Sequence, residues 1–180
     1  MLLSSTMAGV SDVIVRSLRE SDSTQALAGH AELASEDFQF LLDLRDDEPW
    51  AAYVARTLQW PAGLGLSDGQ VPSSFLVGDV DGVVVGRISI RHRLNDWLAE
   101  LGGHIGYAVR PAYRRRGYAT SLLRGGLSLS RGLGLDRVLL TCDDSNVGSA
   151  TVIENCGGVF ERLARVDEGV APRRRYWITL

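Results

Sequence analysis

A turn rich in arginine and glycine is the segment of this sequence best suited to chemistry. It covers residues 110–117, between a strand-like stretch at 103–109 and a helix-like stretch that begins near Ser121. The first turn of a helix leaves backbone N–H groups without intrahelical partners, and the helix dipole is positive there. Guanidinium groups beside those donors add to the attraction for anions. The sequence therefore predicts a phosphate or pyrophosphate site at this turn.

The elements around the turn follow from local patterns. Asp81-Gly82 between two β-branched runs predicts a hairpin over 74–90, because both residues suit a tight turn. Apolar spacings of three and four predict a helix over 49–58. The predicted order is β-α-α-β-β-β-α-β-α-β-β, which favours a mixed sheet of seven strands with helices on both faces.

Length and composition favour one globular domain. The chain has 180 residues, of which 45% are hydrophobic, enough to build a core. We expect residues 1–10 to be a disordered leader and residues 11–180 to form the single domain. No apolar run approaches the ~18 residues of a membrane span, and the start of the chain does not resemble a signal peptide.

Charge and cysteine content exclude other classes. The chain has 19 basic and 22 acidic residues, a net charge of -3, which argues against a nucleic-acid-binding protein. Two cysteines do not make a disulfide framework, so we expect a cytoplasmic protein. Three scattered histidines and no C-x-x-C motif indicate no metal site.

Two motifs carry a resemblance to a known family. Arg114-x-x-Gly117-x-Ala119 matches the signature Q/R-x-x-G-x-G/A, and an Asn-led helix over 146–158 ends at a glycine. With both motifs on the expected elements, the chain resembles the GNAT superfamily of acyl-CoA-dependent N-acyltransferases over essentially every residue after residue 10. The resemblance implies an α+β fold with a mostly antiparallel sheet, and acetyl-CoA as co-substrate.

The resemblance also implies which residues bind that co-substrate. Pantetheine would pair with the strand near Val109, in a slot where this strand splays from residues 137–142, and the N–H groups of 115–120 would bind the pyrophosphate. The implied cofactor-binding residues are Val109, Arg110, Arg114, Arg115, Arg116, Gly117, Tyr118, Ala119, Thr120, Asn146 and Ser149.

The reaction itself requires a neutral amine. A lysine amine with a pKa near ~10.4 is neutral in only about one molecule in 2,500 at pH 7, whereas an α-amine near ~7.8 is about one-seventh neutral. A general base would help a lysine amine most. His104 is the best candidate for this base and Glu100 the second, with Glu36 and Asp37 as further possibilities.

A proton donor for the leaving thiolate is less obvious. Many family members carry a tyrosine in the second motif, but this chain has Ile153 at that position. Tyr107 and Tyr118 are alternative donors. Water is a third alternative, because a thiol pKa near ~8.5 makes the thiolate only about 2 kcal/mol unfavourable at pH 7.

We therefore predict an N-acetyltransferase that moves an acetyl group from acetyl-CoA to a primary amine of a small molecule or peptide. Attack would be direct, in a ternary complex. The alternative is a catalytically silent acyl-CoA-binding sensor or interaction module, and a homodimer is possible. The arginines in 91–93 and 173–175 are expected to be exposed edge charges, with an acidic substrate group as the alternative partner.

Overall fold

The computed structural model describes residues 12–164 and 171–180. Seven strands and four α-helices lie in this part of the chain, in the predicted order. The predicted leader at 1–10 lies outside the described residues. The elements are β1 Ile14–Ser17, α1 Ser23–Ala34, α2 Trp50–Thr57, β2 Ser73–Val80, β3 Val83–Arg91, β4 Ile105–Val109, α3 Tyr118–Gly132, β5 Arg137–Asp143, α4 Val147–Asn155, β6 Val159–Ala164 and β7 Arg173–Thr179.

The strands form two antiparallel sheets, in the orders β1-β2-β3-β4 and β5-β7-β6. The α+β class is confirmed, but the prediction of one mixed seven-stranded sheet is corrected to four strands plus three. The sheets meet where the His104 N–H donates to the Leu139 carbonyl at 2.7 Å and the Leu139 N–H donates to His104 Nδ1 at 2.9 Å. No ladder pairs β4 with β5 elsewhere in the described residues.

Gly103 makes this close approach of the two sheets possible. Its φ is +67°, and a Cβ at this position would lie 2.6 Å from the Leu139 carbonyl oxygen. A side chain would meet both a strained backbone and a steric clash, so only glycine fits. Past the joint, β4 continues as the free edge of the first sheet.

Helices cover both faces of the first sheet, and a β-bulge changes which residues of β3 face each way. Gly78 pairs with Gly86 and Asp79 with Val84, which leaves Val85 as the extra residue. Val84 packs in a cluster with α1 and α2, whereas Ile88 packs with α3 and α4. The predicted helices on both faces are confirmed.

The position of α3 is set by close packing on β3. Leu122, Leu123 and Leu127 are buried at helical spacing. At Gly126 a Cβ would lie 2.4 Å from Ile88 Cδ1, so the absence of a side chain lets the helix lie directly on the strand. This packing places the first turn of α3 beside the end of β4.

Candidate active site

The loop before α3 presents a row of unpaired backbone donors. Arg115 and Gly117 adopt left-handed conformations, with φ of 61° and 81°. Six successive N–H groups, from Arg115 to Thr120, have no hydrogen-bond acceptor within the described chain, and the first helical bond in this loop runs from Ser121 to Gly117. Backbone amides exposed in this way form a concave site for an anion at the positive end of the helix dipole.

Space at the loop is sufficient for a phosphate group. Gly117 is exposed, and a Cβ built on it would meet nothing within 4 Å. Its left-handed φ shapes the turn, and the missing side chain leaves the approach to the amides open. The loop therefore fits the pyrophosphate that the sequence predicted here.

The arginines of this segment divide into two groups. Arg115 and Arg116 are exposed on the loop, and Arg116 Nη2 donates to the Ala112 carbonyl at 3.1 Å. Arg114 instead donates from Nε to the Val109 carbonyl at 3.1 Å and forms a bidentate ion pair with Glu36 at 2.9 and 2.7 Å. Its side chain supports the end of β4 through the Val109 carbonyl.

Arg110 requires a correction. Its side chain is buried, donates to the Val84 carbonyl at 3.0 Å, and pairs with Glu32 at 2.6 Å. Its backbone N–H donates to the Val85 carbonyl. All of these contacts hold β4 to α1 and β3, so we no longer count Arg110 among the cofactor-binding residues.

The free edge of β4 continues from this loop. The Arg110 N–H bonds to Val85 and the Arg91 N–H bonds to His104, which makes Gly86–Val109 and Ile90–Ile105 non-hydrogen-bonded pairs of the antiparallel ladder. The backbone N–H and C=O groups of Ile105, Tyr107 and Val109 therefore point away from β3, toward β5. Because β5 does not pair with them, an extended ligand could add to this edge as a further strand.

The start of α4 lies across from β4. Asn146 caps this helix, its side chain accepting from the Ser149 N–H at 2.9 Å. The Ser149 hydroxyl lies 3.1 Å from the Tyr107 hydroxyl, a contact that links α4 to β4. Ser149 thus borders the gap between the sheets, while Asn146 orders the turn that presents it.

Of the tyrosine candidates for a proton donor, Tyr107 alone lies in this gap and has a hydrogen-bond partner among the described residues. Ile153 is 1% exposed and packs in the core, so the family's usual position offers no hydroxyl. Tyr107 reaches α4 from the opposite side, and burial raises its pKa to about 12, which keeps the phenol protonated. Tyr118 is the first residue of α3, and its hydroxyl makes no hydrogen bond within the described chain.

His104 does not have the geometry of a general base. The ring is 7% exposed, and its Nδ1 lone pair accepts the Leu139 N–H. Burial, with a smaller contribution from Arg91, lowers its pKa to about 4, so the ring is neutral at pH 7. A neutral imidazole whose Nδ1 is an acceptor carries its proton on Nε2. Neither nitrogen is then free to accept a proton, which corrects the sequence prediction.

Two of the three acidic candidates are also engaged. Glu100 pairs with Arg162 at 2.7 Å, and this hydrogen bond lowers the carboxylate pKa. The bidentate pair with Arg114 lowers the pKa of Glu36 in the same way. Asp37 has a left-handed φ of 54° and makes no side-chain hydrogen bond within 12–164 or 171–180. Lowered pKa values make Glu100 and Glu36 weaker bases than the sequence suggested.

The structure changes the interpretation of three arginines. Two of them were expected to be exposed edge charges, and the third was not singled out in the sequence. Arg175 is 5% exposed and pairs with Glu161 at 2.7 Å, and Arg91 lines a cavity. Arg87, which the sequence analysis did not single out, is 3% exposed. The alternation of Arg87, Ser89 and Arg91 within a β-branched strand was the signal that could have indicated one polar row on one face.

Comparison with known proteins agrees with this geometry. The model of the Acetyltransferase (GNAT) family matches residues 24–157, and the chain belongs to this family. No curated protein matches the sequence.

Solved structures share the fold at low sequence identity. A probable acetyltransferase aligns with a TM-score of 0.70 and 19% identity, over 96% of each chain. The structure of yncA from Salmonella typhimurium, which holds its cofactor acetyl-CoA, aligns with a TM-score of 0.59 and 16% identity over 93% of each chain. A Salmonella typhimurium acetyltransferase that modifies the N-terminal serine of ribosomal protein L7/L12 aligns with a TM-score of 0.67 and 13% identity, over 96% of this chain and 98% of the other.

The described residues contain neither a candidate membrane span nor a candidate metal cluster. No helix there combines the length and the apolar character that crossing a bilayer requires. No group of three or more His, Cys, Asp or Glu side chains is arranged there to hold a metal ion.

Replacing His104 with Asn tests its structural role. The folded pKa of about 4 lies below the usual ~6.5, so the folded state resists protonation and the wild type gains stability as pH rises through this window. Between pH 5 and pH 7 this gain is about 2 kcal/mol in free energy of unfolding. His104→Asn keeps an acceptor for the Leu139 N–H but does not titrate, so urea denaturation should show that much less difference between the two pH values. An unchanged difference would mean that His104 does not titrate as the geometry implies.

Proposed function

We propose that this GNAT family member transfers an acetyl group from acetyl-CoA to a primary amine. One observation carries the proposal. The unpaired amides of 115–120 lead directly to the free edge of β4, so a phosphate site and a slot for an extended chain are continuous. This arrangement fits coenzyme A, whose pyrophosphate is followed by the extended pantetheine arm.

The residues that would hold the co-substrate follow from the same geometry. The N–H groups of 115–120 hold the pyrophosphate, with Arg115 and Arg116 adding positive charge. The main chain of Tyr107 and Val109 pairs with the pantetheine amides, and Ser149 borders the slot from α4. Acetyl-CoA supplies the acetyl group as a thioester, together with a thiolate leaving group.

The transfer needs no covalent enzyme intermediate. The acceptor nitrogen attacks the thioester carbonyl directly, a carbon–nitrogen bond forms and the carbon–sulfur bond breaks. A backbone N–H at the free edge of β4, near Val109, stabilises the negative charge that develops on the carbonyl oxygen. Burial raises the thiol pKa of Cys142 and of Cys156, which makes both poor nucleophiles at neutral pH.

Tyr107 is the proposed hydrogen-bond donor to the departing sulfur. Its hydroxyl is held by Ser149 in the gap between β4 and α4, where the pantetheine end would lie. With a pKa of about 12 it acts chiefly as a hydrogen-bond donor to the thiolate, and solvent supplies the proton.

Among the described residues, His104, Glu100 and Glu36 are engaged by Leu139, Arg162 and Arg114, and Asp37 makes no side-chain hydrogen bond. We therefore propose that the acceptor loses its proton to solvent. An α-amine is about one-seventh neutral at pH 7 and a lysine amine about one in 2,500. The acceptor class that suits this site is an α-amine, of a small molecule or a peptide.

The buried Ile153 and the engaged His104 favour a second candidate function. A GNAT protein without its usual acid and base could bind acyl-CoA and transfer nothing, acting as a sensor. The two functions share the cofactor site and differ only in turnover.

Gly117→Glu tests the cofactor site. The carboxylate would enter the open space over the amides and repel the pyrophosphate, so binding of acetyl-CoA should be lost. Gly134→Glu is the matched control, because Gly134 also has a left-handed φ, 78°, faces open space, and lies at the other end of α3. Wild type and Gly134→Glu should gain about 2.7 kcal/mol at 100 times the dissociation constant, seen as a raised Tm. A similar gain in stability for Gly117→Glu would mean that the pyrophosphate does not bind at this loop.

Release of free thiol from acetyl-CoA separates enzyme from sensor. Peptides with a free α-amine should release thiol at pH 7, and peptides that offer only a lysine amine should react far more slowly. For the lysine amine, kcat/KM should rise about tenfold per pH unit from 7 to 9, because only the neutral fraction changes. A flat profile would reveal a protein base, and no release with any amine would support the sensor.

Tyr107→Phe tests the proposed donor. Losing a hydrogen bond to a charged group should lower kcat by about tenfold or more while KM for acetyl-CoA stays unchanged. Tyr113→Phe removes a phenol hydroxyl that has no hydrogen-bond partner in the described part of the chain, and should behave as wild type. An unchanged kcat in Tyr107→Phe would mean that water, and not Tyr107, stabilises the departing thiolate.

A further inference from the structure

We propose that Arg91, backed by Arg87, forms a binding site for a carboxylate group of the acceptor. This inference rests on the proposed function, because it names the acceptor class of the same site. The two side chains lie on β3, on the face of the sheet that α1 and α2 cover.

The geometry brings the two guanidinium groups together over β4. Arg87, Ser89 and Arg91 alternate along β3, so their side chains share one face. Ser89 pairs across the ladder with Gly106, which has no side chain. A Cβ on Gly106 would lie 3.2 Å from Arg91 Nη1 and 3.7 Å from Arg87 Nη1, so both cations occupy the space that this glycine leaves open.

These two arginines lack the partners that the other buried or half-buried arginines have. Within the described residues, neither Arg87 nor Arg91 has a carboxylate within 4 Å. The other arginines with little exposed side chain each have one: Arg16 pairs with Asp22 and Asp79, Arg56 with Asp43 and Glu48, Arg110 with Glu32, and Arg175 with Glu161. A buried cation without a counter-charge is costly, which favours binding of an anion.

Arg87 is fixed in place, and Arg91 is available to a ligand. Arg87 Nη2 donates to the Gln39 carbonyl at 2.9 Å and Nη1 to the Gly106 carbonyl at 3.2 Å, while its buried Nε has no partner in the described chain. Arg91 makes only a long contact, 3.5 Å, from Nη1 to the Gly102 carbonyl. Arg91 is thus the direct ligand, and Arg87 adds positive potential behind it.

Arg91 also lines a cavity of suitable size. Its volume is about 260 Å³, and Gln39, Trp60 and Trp97 contribute to its wall. Asp43 lies in the same wall, but its carboxylate is paired with Arg56 at 2.6 Å, so the cavity keeps a net positive character. Ligand pockets start at about 300 Å³, which favours a small acidic moiety over a bulky one.

The Arg91 guanidinium lies beside the strand that borders the proposed reaction centre, because a Cβ built on Gly106 would lie 3.2 Å from Arg91 Nη1. Gly106 is the second residue of β4, and the next residue, Tyr107, presents its backbone to the slot proposed for pantetheine. A carboxylate held over Gly106 would hold the rest of its molecule close to the thioester. Two sources share this chemistry: the α-carboxylate of a free amino acid and an acidic side chain near a peptide N-terminus.

Binding of product-like ligands tests the site without turnover or acetyl-CoA. N-acetylalanine and N-acetylalaninamide differ in the carboxylate, and an N-acetylated dipeptide amide with glutamate or glutamine at its second position tests the other source. We expect calorimetry to show that wild type binds the acid more tightly than the amide in at least one of these two pairs. The pair that shows this difference identifies whether the carboxylate belongs to a free amino acid or to an acidic side chain of a peptide. Equal affinity within both pairs would overturn it.

Arg91→Gln should weaken binding of that acid by about tenfold or more, the effect of losing a charge-assisted hydrogen bond. Arg93→Gln is the matched control, because Arg93 is exposed two residues away and the change in net charge is the same. A structural role for Arg91 would instead lower the Tm, whereas we expect the Tm of Arg91→Gln to stay at or above that of wild type. Retained affinity in Arg91→Gln would overturn the proposal, and thiol release would still test acetyl transfer independently.

Discussion

The joint between His104 and Leu139 is the contact on which the candidate site depends. It ties the edge of one sheet to the edge of the other at a single point, and Gly103 lets the two backbones approach there. If β4 and β5 had continued to pair, the backbone groups of Tyr107 and Val109 would have formed hydrogen bonds to β5. Because the pairing stops, β4 keeps hydrogen-bonding capacity that an extended ligand can use.

The arginines show how this chain distributes charge. With a nearly balanced total charge, most of its buried guanidinium groups have carboxylate partners that hold elements together, as Arg110 and Glu32 hold β4 to α1. Such pairs, satisfied on both sides, are structural. Against this pattern, Arg87 and Arg91 are distinctive because their neighbours in the described chain supply carbonyls and a hydroxyl but no negative charge.

The chemistry that we propose is consistent with both features. Because the leading candidate bases, His104 and Glu100, are engaged, the acceptor must lose its proton to solvent. This favours an amine of low pKa. A pair of unneutralised cations over β4 favours a molecule that carries a carboxylate. Both requirements describe the same kind of acceptor, an α-amine on an acidic molecule or peptide, and they arise from independent parts of the structure.

The sequence by itself determined the elements and the glycine loop before α3, and only the tertiary structure decided which side chains are free to act. The glycine turn, the helix start and the hairpin depend on conformational preferences within a few residues, so a local pattern is sufficient to predict them. The partners of charged groups are remote: Arg110 meets Glu32 and Arg114 meets Glu36 across 78 positions of the chain. His104 was predicted as a base from its residue type and neighbours, but its lone pair is bound by a residue 35 positions away. A motif carries no information on such pairings, because they are decided by the packing of the sheets and helices that bring distant residues together.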